Sequence, residues 1–249
     1  MTALLEVSRL RKAFGALVVT DDVSFAVPAG ELHAVIGPNG AGKTTLIHQL
    51  SGRLAPDGGT VRFAGEDVTR LSMVERVRRG LARSFQITSI LSGFSVLENA
   101  ALAVQARSGS SFRFLRPASS ETALNRAAME ALARVGLAAS AHRRAGDLSH
   151  GEKRQLEIAI ALATGARLLL LDEPLAGTGH EEGALLVDLM RALKATHTIV
   201  LVEHDMDAVF ALADRVSVLV YGRLLATGTP AAIRADPEVR AAYLGEEAA

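Results

Sequence analysis

The chain has 249 residues, 49% of them apolar, and its 27 basic and 27 acidic side chains cancel to a formal charge of zero. That is enough apolar material to bury a full core, while the balanced charge supplies no bulk field for nucleic acid or an anionic membrane. The absence of cysteine excludes disulfides and thiol chemistry, no apolar run approaches the roughly 18 residues of a spanning helix, and the N-terminus lacks the basic-then-apolar order of a secretion signal.

From Leu4 to Val27, β-branched and apolar stretches broken at Phe14-Gly15 and Asp21-Asp22 predict a β-rich start. Leu32–Ile36 is an apolar strand that enters a glycine-rich turn, and Thr44–Leu50 has helical spacing. The turn Asp57-Gly58-Gly59 and the strand Thr60–Phe63 predict an antiparallel addition beside this core. After a short strand at Ala82–Phe85 the pattern becomes helical and Ala-rich, at Val96–Ala106 and Glu121–Val135. The chain then alternates: helix Gly151–Ala163, strand Leu168–Asp172, helix Glu181–Ala195, strand Thr198–Val202, helix Met206–Ala213, strand Arg215–Tyr221. Such alternation predicts right-handed crossovers and a mainly parallel sheet, hence an α/β fold. Asp236-Pro237-Glu238 starts a last short helix. No internal repeat is visible.

Gly37-Pro38-Asn39-Gly40-Ala41-Gly42-Lys43-Thr44, followed by Thr45, fits G-x-x-x-x-G-K-[ST] and stands between a buried strand and a helix. Glycines let successive N–H groups turn inward around phosphate oxygens, and the helix N-terminus adds partial positive charge. Lys43 is expected to reach the β- and γ-phosphates of ATP, and the Thr44 hydroxyl to ligate Mg²⁺. Spelling alone would allow an ordinary glycine-rich turn; the placement decides against it.

Leu168-Leu169-Leu170-Leu171 ends in Asp172-Glu173, as a buried strand does when it empties into a site at the sheet's C-terminal edge. Asp172 is expected to hold Mg²⁺ through its water shell, and Glu173 to orient or deprotonate the attacking water. His204, just past the strand Thr198–Val202, reaches the same edge, where an imidazole can donate to the γ-phosphate. Gln86 follows the short strand Ala82–Phe85, and its amide is a candidate contact for both Mg²⁺ and the water. Read singly, the histidine and the glutamine are ordinary polar residues, and the acidic pair fits a solvated strand end as well as it fits a site.

Leu148-Ser149-His150-Gly151-Glu152 heads a helix, with Ser149 as its natural N-cap. This is a second anion site, far along the chain from the loop that already grips phosphate. Here the sequence resembles the ATP-binding cassette (ABC) family, whose signature L-S-x-G-E it matches. The order phosphate loop, Gln86, signature, Asp172-Glu173, His204 resembles that family over nearly the whole chain. The resemblance implies a single P-loop NTPase domain over residues 1–249, with a mainly parallel core sheet, an antiparallel β subdomain, and a helical subdomain inserted at about 87–165. It also implies that two such domains pack head to tail, so that Ser149 and Gly151 of one copy meet the γ-phosphate held by Lys43 of the other. Phe14 would then stack on adenine, where the family more often has tyrosine; the other reading of Phe14 is core packing. One departure stands out, since S-A-L-D of many members is Ala176-Gly177-Thr178-Gly179 here. The aspartate that helps couple the two facing sites has become Gly179.

Arg83-Ser84-Phe85-Gln86-Ile87-Thr88, the Leu-Ala-Gly turn at Leu175, Val202-Glu203-His204-Asp205-Met206-Asp207 and Ala242-Tyr243-Leu244-Gly245 are similar to the ATPase subunits of bacterial branched-chain amino acid importers. That similarity implies integral membrane permease subunits as partners, a substrate-binding protein indirectly, a second copy or similar chain as the other half, and a position on the inner face of the plasma membrane. Urea and amide importers resemble the same group. The rival reading, a soluble ABC protein acting on nucleic acid or ribosomes, fits less well, since there is one cassette and no heptad run. Arg107–Ser120 mixes arginines with Phe112, Phe114 and Leu115; a solvated insertion is preferred over a contact with lipid headgroups or a membrane subunit.

Overall fold

The chain opens on two long antiparallel strands, β1 (Ala3–Phe14) and β2 (Leu17–Pro28), in a computed structural model that describes residues 3–84, 90–108 and 122–244. β3 (Leu32–Ile36) leads through the glycine loop into α1 (Lys43–Ser51). β4 (Gly58–Phe63) and a two-residue β5 (Glu66–Asp67) then return to β1, completing a four-stranded antiparallel sheet ordered β2-β1-β4-β5. The short α2 (Met73–Arg78) precedes β6 (Leu81–Arg83). Three longer helices follow, α3 (Val96–Ser108), α4 (Thr122–Arg134) and α5 (His150–Ala163). The chain then alternates through β7 (Leu168–Asp172), α6 (His180–Lys194), β8 (Thr198–Val202), α7 (Met206–Leu212) and β9 (Arg215–Val220). It finishes with β10 (Arg223–Gly228), α8 (Pro230–Ala235) and α9 (Pro237–Leu244).

A six-stranded sheet ordered β10-β9-β3-β8-β7-β6 forms the centre. β3, β7 and β8 are buried at every position, as apolar runs must be when helices cover both faces. Side chains alternate across the strand, so Leu169, Leu171, Ile199 and Leu201 join the core under α3–α6. Leu168, Leu170, Val200 and Val202 face the other way, into the core shared with α1 and the antiparallel sheet. β6 and β7 are parallel neighbours although α3, α4 and α5 intervene in sequence, so those helices all hang from one edge of the sheet.

The α/β class and the mainly parallel sheet are as expected. One edge differs, because β10 pairs antiparallel with β9, a hairpin beyond the last expected strand. β5, α2 and α8 were also not anticipated. The expectations for Phe85, Gln86, Ile87 and Thr88, for most of the Arg107–Ser120 segment, and for Gly245 lie outside the described residues. Among the described residues no helix is long and apolar enough to cross a membrane.

Candidate functional site

Parallel strands deliver their following loops to one edge of a sheet, and the order β3-β8-β7 puts three of them side by side. β3 delivers the glycine loop, β8 delivers Glu203-His204, and β7 ends on Asp172 with Glu173 next. Residues separated by more than a hundred positions thus share one rim.

The loop is shaped by glycines that nothing larger can replace. Gly42 has φ 103°, and a Cβ there would lie 2.4 Å from the Val19 carbonyl oxygen. At Gly37 a Cβ would meet the Leu219 carbonyl oxygen at 2.1 Å. Gly222 closes the outer side by donating its N–H to Ala41 O at 3.0 Å. Pro38 is partly buried, whereas Asn39 and Gly40 are exposed at the tip. Lys43 is 7% exposed and folds back over the loop, its Nζ donating to Gly37 O at 2.5 Å and Pro38 O at 2.9 Å. An ammonium held by its own loop's carbonyls exchanges those partners readily for phosphate oxygens. Thr44 is exposed in the first turn of α1, and Thr45 is half-buried.

Asp172 is buried, and its Oδ2 accepts from Arg83 Nη2 at 2.7 Å. Its Oδ1 is buried with no hydrogen-bond partner among the described residues. Buried carboxylate oxygens are ordinarily hydrogen-bonded, which makes this one a candidate position for a ligand or an ordered water. Carboxylate and hydroxyl oxygens, such as those of Asp172 and Thr44, are the hard donors that suit Mg²⁺, whether directly or through its water shell. Among the described residues no group of three or more His, Cys, Asp or Glu is placed to hold a metal ion.

Glu173 has φ 47°, a left-handed backbone that glutamate rarely adopts. Its N–H donates to Val202 O at 2.8 Å and its O accepts from Ala176 N at 3.1 Å, so the neighbouring strand end and the next turn hold it there. Strain of this kind concentrates where a side chain must be aimed. The next residue of β8's loop supplies a second clamp. Glu203 is fully buried, accepts from Leu175 N at 2.8 Å and from His204 N at 3.1 Å, and burial pushes its carboxyl above the usual range. One side chain therefore ties the turn after Glu173 to the His204 turn. His204 itself is 64% exposed at its side chain, with Nδ1 at 3.8 Å from Glu203 Oε2.

Ser149 caps α5 in a reciprocal box: its Oγ accepts from Glu152 N at 3.2 Å while its own N–H donates to Glu152 Oε2 at 2.9 Å. The residue is exposed, which leaves its hydroxyl proton available outward. Gly151 N–H donates at 3.1 Å to the Glu182 carboxylate on α6. A Cβ on Gly151 would lie 2.8 Å from Glu182 Cδ, so only glycine fits beneath that side chain. Phe14 is 51% exposed at the β1–β2 turn, with Lys12 Nζ 5.6 Å from its ring centre; core packing is therefore excluded. Gln86 lies outside the described residues.

Arg83, Glu182 and Glu203 are the site's residues that sequence reasoning missed. Glu203 stood in a quoted motif but drew no role. Arg83 likewise stands in the Arg83–Thr88 stretch without a role of its own, and for Glu182 the only signal is the spatial partner.

A sequence profile described as ABC transporter matches residues 20–176, and one described as branched-chain amino acid ATP-binding cassette transporter matches residues 223–249. The chain is 40% identical over 252 residues to the high-affinity branched-chain amino acid transport ATP-binding protein LivG of Escherichia coli K12, covering 98% of each chain. It is 38% identical over 250 residues to the corresponding protein BraF of Pseudomonas aeruginosa, again covering 98% of each. Among solved structures, the ADP conformation of MJ1267, an ATP-binding cassette of an ABC transporter, superposes with a TM-score of 0.87 at 29% identity, covering 98% of this chain and 100% of that one.

Proposed function

The chain belongs to the ABC transporter family as an ATP-binding, ATP-hydrolysing subunit, and from that premise we propose that it powers import of branched-chain or related amino acids through separate membrane subunits. The observation that carries this reading is end-to-end identity of 38–40% with branched-chain amino acid transport ATPases, reinforced by the match over residues 223–249.

In this reading Phe14 stacks on adenine and the backbone from Gly37 to Thr45 surrounds the phosphates. Lys43 leaves Gly37 O and Pro38 O for the β- and γ-phosphate oxygens, and Thr44, Asp172 and Gln86 would hold Mg²⁺, directly or through its water shell, which would supply neutralising charge on those phosphates. Glu173 orients the attacking water and takes its proton, while His204 donates to the γ-phosphate. The remaining contacts come from a second copy or a similar chain, whose Ser149 hydroxyl and Gly151 N–H face the γ-phosphate. In the single chain that N–H is taken by Glu182, so pairing replaces one anion by another. Glu182→Ala is expected to lower the ATP concentration at which chains pair by about fivefold, the effect of removing one competing hydrogen bond. Light scattering during an ATP titration, in a Glu173→Gln background that prevents turnover, measures it; an unchanged midpoint sets the competition aside.

Pairing does mechanical work only if it moves something. A groove of about 700 Å³ opens beside β6, lined by Met73, Val74 and Val77 of α2, Ala103 of α3 and Ile160 of α5. It joins elements of the nucleotide core to the helices hung from the sheet edge, and it is where a helix of a membrane subunit is proposed to seat. Val74 is 56% exposed there, and the chain has no native cysteine. A Val74→Cys variant is expected to react fully with maleimide when isolated and to be shielded in the membrane complex. Equal labelling in both states removes the groove from the membrane contact and leaves the ATPase reading intact. The same reading places the chain on the cytoplasmic side of the membrane, held there by its partners.

A further inference from the structure

The guanidinium of Arg83 and the carboxylate of Asp172 are both withdrawn from water, with side chains 2% and 0% exposed and Nη2 to Oδ2 at 2.7 Å. Removing two charges from water is costly and is often no better for stability than an apolar pair. Strand alignment does not need it either, because β6 and β7 are already registered through Leu81↔Leu168, Ala82↔Leu169 and Arg83↔Leu170. The contact has a specific geometry: it engages one carboxylate oxygen and leaves the other, Oδ1, buried and without a hydrogen-bond partner among the described residues. A carboxylate gripped by one oxygen cannot rotate away from whatever the other must meet.

We propose that Arg83 is a positioning residue for magnesium: it holds Asp172 through Oδ2 so that Oδ1 stays directed to the hydrated cation. Outer partners of this kind fix the orientation of metal-binding side chains and set metal affinity. Arginine suits the task better than lysine because its rigid planar fork fixes direction as well as charge. Arg83 is also among the residues lining the groove beside α2, α3 and α5, so one residue adjoins both that groove and the Asp172 carboxylate. The inference rests on the reading of Asp172 as the Mg²⁺ carboxylate.

The test titrates Mg²⁺ into protein and ATP, starting from EDTA, and follows nucleotide affinity by calorimetry, with melting temperature as the fold control. Arg83→Met is expected to raise the half-saturating Mg²⁺ about tenfold, within the range seen when outer partners of metal ligands are lost. Its affinity for metal-free ATP stays within about twofold of the parent, since the phosphate loop is untouched. Arg83→Lys keeps the buried charge and the fold but loses the fork, and is expected to shift Mg²⁺ dependence about threefold. A folded Arg83→Met with parental Mg²⁺ dependence overturns the proposal; if that variant does not fold, parental dependence in Arg83→Lys does the same. Asp172→Asn in the same titration separates the levels. If it too leaves Mg²⁺ dependence unchanged, the assignment of Asp172 fails and the proposal falls with it; a shift in Asp172→Asn without one in the Arg83 variants condemns the Arg83 role alone.

Discussion

Glu173→Gln is expected to retain ATP binding and to lose turnover by about 10²-fold or more, the loss that follows removal of a general base. The substitution preserves size and hydrogen-bonding reach but cannot accept the water's proton. Backbone hydrogen bonds to Val202 and Ala176 help hold the residue at φ 47°, and the substitution leaves them in place. The variant should therefore melt with the parent and bind nucleotide through Lys43 and the glycine loop as before. Steady-state phosphate release together with equilibrium ATP binding measures the two quantities separately. Turnover near the parental rate would take Glu173 out of the reaction and leave the strained backbone there without a purpose.

What could be read from the chain in advance was whatever is written locally. The run Leu168–Leu171 declares a doubly covered strand because no half-exposed strand tolerates four leucines. The glycines at 37 and 42 declare a loop because the contacts at those positions admit no Cβ. Partnerships closed by tertiary folding leave no such trace: Arg83 and Asp172 are 89 positions apart, and Gly151 and Glu182 are 31 apart. β10 was missed for another reason, since Arg223–Gly228 alternates exposed and partly buried positions with small residues at the end and has little apolar contrast. α2 was legible and overlooked. Ser72 and Glu75 form a reciprocal capping box at its N-terminus, and S-x-x-E is the pattern that announces one. Phe14 shows the limit of composition, because an aromatic in a turn is compatible with core or ligand until its exposure is known.

Ser149→Arg and Lys43→Ala, each nearly inactive as a pure protein, are expected to recover activity when mixed. Which chain owns which half of a site decides the outcome. In a pair of Lys43→Ala chains neither phosphate loop holds nucleotide tightly, and in a pair of Ser149→Arg chains both signature faces are blocked by a bulky cation. A mixed pair combines the intact loop of one chain with the intact signature of the other, and collects both defects in the opposite site. Random assortment in a two-fold pair makes half the pairs mixed with one working site in each, so recovery on the order of a quarter of parental turnover follows if the sites act independently. Independence is itself in question, because the resemblance to the family implies a coupling aspartate in this loop where the chain has Gly179. Recovery close to that quarter would mean that one site turns over without its twin. Much lower recovery would mean that coupling travels another way, and the Glu203 clamp between Leu175 N and His204 N is the contact in this chain that could transmit it. No recovery at any mixing ratio, with pairing verified by light scattering, would show that Ser149 does not serve a neighbour's phosphate.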